Sequence, residues 1–198
     1  MDGSREETKR LLVLYRKGLI SEDNLVDQLE EIRSATAPGI GPVDPLTEAG
    51  ERELVAVLDG YRAAEESGAE TLRRWAALSR DAALAGGLRT IAAREALHAQ
   101  LLEQRVRELG AEPTAAVPTW LSDYNQTLLD PRASDSERLA SILRQFPDIE
   151  AALAPLEKTI DSLEADPLTR EMLRTIGQDE RASLEWLHRA YATRATRP

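Results

Sequence analysis

Apolar residues recur every three or four positions along most of the chain, which is the period of an amphipathic α-helix. The alternation of apolar and polar residues that is typical of β-strands is absent. Ala, Leu, Glu and Arg, which favour helices, dominate the sequence. The pattern therefore predicts an all-α protein.

Capping residues, glycines and prolines divide this pattern into segments. Residues 1–35 are predicted to form an N-terminal helical hairpin, because Ser4 and Glu7 form a capping box and Gly18 can end the first helix. Residues 36–46 are rich in Pro and Gly and are predicted to be a linker. The remaining residues, 47–198, are predicted to form a four-helix bundle.

The first two bundle helices are predicted over about 47–80 and from Asp81, as N-cap, to Gly110. Residues 111–133 contain three prolines and no sustained period, so they are predicted to be a long crossover. Ser134 and Glu137 open a third helix by a capping box, and Pro147 and Pro155 must bend or break it. The fourth helix runs from Asp166-Pro167 to about residue 195.

One segment of the sequence occurs twice, at an offset of 85 residues. Residues 81–95 align without a gap on residues 166–180, with Arg-Thr-Ile and a final Glu in common. The two final glutamates are Glu95 and Glu180, and Glu65 and Glu150 each lie thirty residues before one of them. The repeat predicts that the four carboxylates occupy equivalent positions in two helical hairpins.

The helical phase places several ionisable residues on apolar faces. Glu65 shares a face with Tyr61 and Gly68, whereas Glu66 falls on the polar face, so only Glu65 is predicted to be buried. Polar residues interrupt the apolar stripe of each of the other helices in the same way. They are Glu95 and His98 in the second helix, Glu150 and Glu157 in the third, and Glu180 and Ser183 in the fourth.

Such a set of inward-facing carboxylates favours a metal site. An unpaired buried carboxylate loses several kcal/mol of solvation, and several carboxylates together also repel one another. Divalent ions remove both penalties, and carboxylates with imidazole suit iron, manganese or zinc. Glu95 and His98 lie one turn apart, so both can reach one ion. A buried hydrogen-bonded cluster without metal is the alternative for Glu65, Glu95 and His98.

Composition narrows the classes of partner. The net charge is −10 and the pI is near 4.8, which argues against binding to nucleic acid or to an anionic membrane. There are no cysteines, so disulfides, thiolate sites and iron–sulfur clusters are excluded. No apolar run approaches 18 residues and no signal-peptide pattern follows Met1, so we expect a cytoplasmic protein.

Glu65, Gly68 and Trp75, followed by Glu95-Ala-Leu-His98, form a motif that resembles that of the ferritin-like carboxylate-bridged dimetal proteins. Within that family, the chain is most similar to the rubrerythrin and bacterioferritin branches. The resemblance covers residues 47–195. It implies a ferritin-like four-helix bundle with two divalent ions, iron in the first place and manganese or zinc as alternatives. In the implied site Glu65 and Glu150 are terminal ligands, Glu95 and Glu180 bridge the ions, and His98 binds the first ion.

The second half of the implied site departs from the family pattern. Ser183 stands where a histidine is expected, so the second ion is expected to bind loosely, through water, or not at all. Glu185-Trp-Leu-His188 is a literal Glu-x-x-His and offers a rival set of ligands, although it breaks the repeat. Glu157 is expected to form a salt bridge rather than to bind metal. Glu150 is either a ligand or a residue of a first helical turn.

Two functions follow from the resemblance. The first is a dimetal oxidoreductase that reacts with dioxygen or peroxide as a ferroxidase, peroxidase or oxygenase, with an external electron donor. The second is a non-catalytic bundle with a degraded metal site that acts as a scaffold or binding module. The family also implies a homodimer, to which the apolar residues of the N-terminal hairpin would contribute.

Overall fold

The computed structural model describes residues 48–164 and 166–195. These residues form helices and no strands, as the sequence predicts. The six helices are α1 (Glu48–Leu78), α2 (Ala82–Glu108), α3 (Thr119–Leu128), α4 (Asp135–Gln145), α5 (Ile149–Ser162) and α6 (Pro167–Ala195). The N-terminal hairpin over residues 1–35 and the linker over residues 36–46 lie outside the described residues.

The first hairpin, α1 and α2, has the ends that the sequence predicts. Asp81 is the N-cap of α2, and its carboxylate accepts hydrogen bonds from the backbone N–H groups of Ala83 and Leu84 at 2.9 and 3.0 Å. Gly110 follows the C-cap with a φ of 79°, a conformation that glycine adopts at no steric cost. The turn and the helix end are therefore both determined by local sequence.

Helix α6 runs antiparallel to α2 and is tied to it at both ends. At the start of α6, the guanidinium of Arg105 donates to Asp166 at 2.9 Å and to Thr169 at 2.7 Å. At the other end, Arg194 forms an ion pair with Asp81. These contacts fix the register of α6 against α2 at both ends.

The connection between α2 and α4 runs along α1 instead of crossing open solvent. Asp59 in the first half of α1 accepts hydrogen bonds from the N–H groups of Thr114 and Ala115. Farther along, Asn125 donates to Ser67 at 2.8 Å, and Trp75 donates from Nε1 to an oxygen of residue Asp135 at 2.8 Å.

This connection differs in part from the predicted irregular crossover, because residues 119–128 form helix α3. Its N-cap is Pro118, which makes no side-chain capping bond. Only Asn125 and Leu128 of this helix are buried. Helix α3 therefore has neither of the two signals, a polar cap and a long apolar stripe, by which a helix is recognised in a sequence.

The predicted third helix is broken at Pro147 into α4 and α5. Ser134 and Glu137 form the expected capping box at the start of α4. Helix α4 ends with Phe146 as C-cap, and Asp148 caps α5 through the N–H groups of residues 150 and 151. Pro155, the second predicted breaker, lies within α5.

The interior contains two hydrophobic clusters, one near each end of α1, α2 and α6. The first cluster is built around Trp75 and Leu88, and the second around Leu58 and Leu102; all four side chains are fully buried. Between the clusters, the same three helices contribute polar residues. Within the described ranges, no helix combines the length and the apolar content that a membrane span requires.

Candidate metal centre

The polar layer between the two hydrophobic clusters brings together most of the predicted ligands. Helix α1 contributes Glu65, α2 contributes Glu95 and His98, and α6 contributes Glu180 together with the adjacent Asp179. Glu65, Glu95, His98 and Glu180 lie along their helices between the residues of the two clusters. Helical phase directs these four side chains toward the interior, and Asp179 joins them from the partly exposed edge of α6.

His98 lies at the middle of the layer and is almost completely buried. Its Nδ1 is 3.3 Å from Oε2 of Glu65 and 3.6 Å from Oε1 of Glu180. On the other side of the ring, Nε2 is 3.1 Å from Oδ2 of Asp179. The Nδ1 side thus faces two carboxylates from two helices, while Asp179 fixes the orientation of the ring through Nε2.

Burial strongly shifts the pKa values of the ionisable groups in this layer. Desolvation raises the pKa of Glu65 to about 7, against the opposing effect of His98. Desolvation, with the charges of Glu180 and Glu65, also raises the pKa of Glu95 well above its ordinary value. Burial alone would lower the pKa of His98, but the carboxylates of Glu180, Glu65 and Asp179 outweigh it and raise that pKa to about 10. The carboxylates of the layer therefore favour a positive charge among them, which the protonated His98 ring or a bound cation can supply.

Two buried carboxylate oxygens in the layer have no hydrogen-bond partner, Oε2 of Glu95 and Oε1 of Glu180. Buried acceptors in folded proteins nearly always have a hydrogen-bond partner, so these two oxygens need an explanation. One explanation is that they are positioned to bind an ion. Gly68 on α1 leaves the space for one of them, because a Cβ at this position would overlap Oε2 of Glu95.

One oxygen from Glu65, one nitrogen from His98 and one oxygen from Glu180 all lie within 4.8 Å of one another. The set contains the borderline and hard donors that suit divalent iron, manganese or zinc. The side chains of Asp179 and Glu180 are 36% and 25% exposed, so the layer is reached by solvent from the α6 side. The residues Glu65, His98 and Glu180 therefore could hold a metal ion.

The prediction that the side chain of Glu65 is more buried than that of Glu66 is confirmed. The side chain of Glu65 is 13% exposed and contacts His98, whereas that of Glu66 is 72% exposed and pairs with Arg62 on the surface. The phase of α1 was thus correctly inferred from its apolar stripe.

Two residues of the layer, Asp179 and Arg94, were not among the predicted site residues. Nη1 of Arg94 is 3.3 Å from Oδ1 of Asp179, and Nη2 donates to Oγ of Ser183 at 2.9 Å. The repeat contained a signal for this pair, because the two residues hold equivalent positions with opposite charges and directly precede Glu95 and Glu180.

Glu150 does not join the layer. It is exposed in the first turn of α5, where its Oε2 accepts a hydrogen bond from Nη2 of Arg181 at 2.9 Å. Because Pro147 breaks the third helix, Glu150 takes the first-turn position that was the alternative to metal binding. Glu157 is also exposed and pairs with the same arginine at 3.1 Å, which agrees with the expected salt bridge.

The rival pair of Glu185 and His188 also lies apart from the layer. Glu185 is exposed and pairs with Arg189 one turn away. His188 is half-buried, and its Nε2 lies 3.0 Å from the backbone carbonyl oxygen of Phe146. The two side chains therefore contact different partners and do not form a common site.

Ser183 is buried in the layer at the position equivalent to His98. Its hydroxyl donates to the backbone carbonyl of Asp179 at 2.9 Å and accepts from Arg94. Both of its hydrogen-bonding functions are thus engaged by protein groups.

Comparisons of the chain with protein-family models, with curated proteins and with solved structures found no match.

Proposed function

We propose that this chain is a metal-dependent oxidoreductase of the ferritin-like type, with its metal centre in the polar layer. The observation that carries the proposal is the convergence of Glu65, His98 and Glu180 from three helices around unsatisfied carboxylate oxygens. An interior selected only for stability would fill this volume with apolar side chains.

The topology supports the same proposal. Helices α1 and α2 form one antiparallel hairpin, and the following connection runs along α1 before α4 begins. In ferritin-like bundles a long connection of this kind joins two hairpins, and carboxylates and Glu-x-x-His histidines project into the interior. The proposed ligands follow that arrangement on α1, α2 and α6.

Each residue of the layer has a distinct part in the proposed site. Glu65, Glu180 and Nδ1 of His98 would hold the ion, with Glu95 as an additional carboxylate. Asp179 would orient the imidazole through Nε2, which is the usual position of a carboxylate behind a metal-bound histidine. A redox-active ion such as iron, when bound, supplies electrons for the reduction of dioxygen or peroxide. The exposed edge at Asp179 gives a small oxidant access to the layer.

Metal analysis tests this proposal directly. Protein purified without chelator and loaded anaerobically with iron(II) should retain at least one ion per chain after desalting, and should oxidise it faster than free iron(II) when dioxygen or peroxide is added. Glu65→Ala and His98→Ala should each lose the ion, because each removes a ligand. Glu66→Ala is the matched control and should retain it, since this neighbour faces solvent. Equal retention by the Glu65 and Glu66 variants would refute the proposal.

A second candidate function is a non-catalytic scaffold. It is favoured by the pairing of His98 and Arg94 with the carboxylates of the layer, since two cationic side chains neutralise part of the negative charge without any metal. In that case wild-type protein would retain no iron(II), and the Glu65 and His98 variants would change only stability.

A further inference from the structure

The polar layer contains two contacts that the internal repeat relates to each other. At the offset of 85 residues that separates Arg94 from Asp179, Ser183 is the counterpart of His98. Arg94 contacts Ser183 at 2.9 Å, and Asp179 contacts His98 at 3.1 Å. In the first contact, the first repeat supplies the residue before its glutamate and the second repeat supplies the residue three positions after its own. In the second contact, the two repeats exchange these roles. This is the relation expected across a two-fold axis.

The two halves related in this way differ in chemistry. One half contains an imidazole, His98, with Glu65 beside it. In the other half serine replaces the imidazole, and Glu150, the counterpart of Glu65, lies on the surface with Arg181. The guanidinium of Arg94 is the cationic group of this second half, where it holds both Ser183 and Asp179.

We propose that the Arg94 guanidinium takes the place of a second metal ion, so that the centre binds a single ion and not a pair. This inference rests on the proposed function and concerns the number of ions that the layer can hold. A guanidinium is permanently charged and has no lone pair with which to bind a metal. It supplies a fixed positive charge to the carboxylates shared between the two halves.

Electrostatics and ligand supply lead to the same conclusion. A second divalent ion next to Arg94 would meet a like charge at close range, where the repulsion is strongest. It would also lack the imidazole that the first ion has, because Ser183 stands at that position. Asp179 divides its two oxygens between the halves, with Oδ1 toward Arg94 and Oδ2 toward His98. The arginine therefore both excludes the second ion and fixes the carboxylate that orients the histidine.

Cobalt(II) is a suitable probe, because it binds nitrogen and oxygen ligands more tightly than manganese(II) or iron(II). Wild-type protein should bind one cobalt(II) per chain by elemental analysis, with the paramagnetic resonance signal of an isolated ion. Ser183→His alone should still bind one ion, since the guanidinium remains. The double variant Arg94→Gln with Ser183→His should bind two ions whose signal is attenuated by magnetic coupling.

The matched control is Arg89→Gln with Ser183→His, which removes an exposed arginine from the same helix and should bind one ion. Two ions in the wild type or in Ser183→His would overturn the inference and leave the proposed function intact. No bound ion in the wild type would overturn both. One ion in an Arg94→Gln, Ser183→His variant that retains wild-type helical content would also overturn the inference. If that variant fails to fold, the resonance signal of the wild type shows whether the centre holds one isolated ion or a coupled pair.

Discussion

At the scale of single residues, Gly68 determines how closely α1 approaches the carboxylate of Glu95. Gly68→Ala should weaken cobalt(II) binding roughly tenfold or more, because the added methyl group overlaps Oε2 of Glu95 and must displace this carboxylate of the proposed site. Isothermal titration would measure the change. Most of the fold should survive, since the displaced atom is the end of a flexible side chain.

Gly60→Ala is the matched control for this substitution. It lies on the same helix, and a Cβ there meets nothing within 4 Å. The change should leave metal affinity unaltered and raise the free energy of unfolding by about 0.5–1 kcal/mol, because alanine favours a helix interior over glycine. If both variants bound cobalt(II) as the wild type does, Gly68 would have no part in shaping the site.

The sequence predicted the buried residues of the polar layer better than it predicted their neighbours. Glu65 and His98 interrupt apolar stripes, and helical phase was sufficient to place them in the interior. Asp179 and Arg94 lie at the partly exposed edges of their helices, where phase does not distinguish a functional residue from a solvated one. Their pairing depends on how α2 packs against α6, and this information is not local to either segment.

At the scale of helices, the carboxylate of Asp59 joins α1 to the connection that follows α2. It contacts Arg62 at 2.6 Å and accepts hydrogen bonds from the N–H groups of Thr114 and Ala115 at 2.7 and 2.6 Å. Asp59→Asn should lower the free energy of unfolding at pH 7 by about 2 kcal/mol, because a charged acceptor is lost from a buried group. Urea denaturation monitored by circular dichroism would measure the effect.

The same group predicts the direction of a pH dependence. Burial raises the pKa of Asp59, but the hydrogen bonds from Arg62, Thr114 and Ala115 outweigh it and hold that pKa below its ordinary value of 3.8. Its contribution is therefore fully present above about pH 4 and is lost as the pH falls further. The stability difference between wild type and Asp59→Asn should shrink below pH 4.

Glu66→Gln is the control for Asp59→Asn, because it removes the other acidic partner of Arg62 at an exposed position. It should change stability by less than about 0.5 kcal/mol. A difference between wild type and Asp59→Asn that grew on acidification would contradict the assignment of the pH effect to Asp59.

The residues at which helices begin and end were easier to predict from the sequence than the presence of a helix. Asp81, Ser134 and Gly110 act as the caps that their residue types indicate, since capping depends on contacts within a few residues. Pro147 broke the third helix as expected. Pro155 did not break α5, and α3 formed without any strong signal, because packing along the rest of the molecule can override local preference.

At the scale of the whole molecule, the polar layer separates the two hydrophobic clusters. Leu58→Ala in one cluster and Leu88→Ala in the other should each lower the free energy of unfolding by about 2–5 kcal/mol, because both side chains are fully buried. The double variant should show the sum within about 0.5 kcal/mol, since the two residues share no cluster. Chemical denaturation of the four proteins would test this additivity.

Leu97→Ala provides the baseline for these variants. Leu97 is 53% exposed, so its truncation should change stability by no more than about 0.5 kcal/mol. A coupling energy well above 0.5 kcal/mol between Leu58 and Leu88 would mean that the two ends of the helices respond as one continuous core.

A layer of charge through the middle of a small helical molecule is expensive to maintain. Leucines of similar volume would often leave such an interior equally stable or more stable. The two hydrophobic clusters supply the apolar burial that favours folding, and the central carboxylates need a different reason. The proposed metal centre supplies that reason, and it lies in the midsection of the helices and not at their hydrophobic ends.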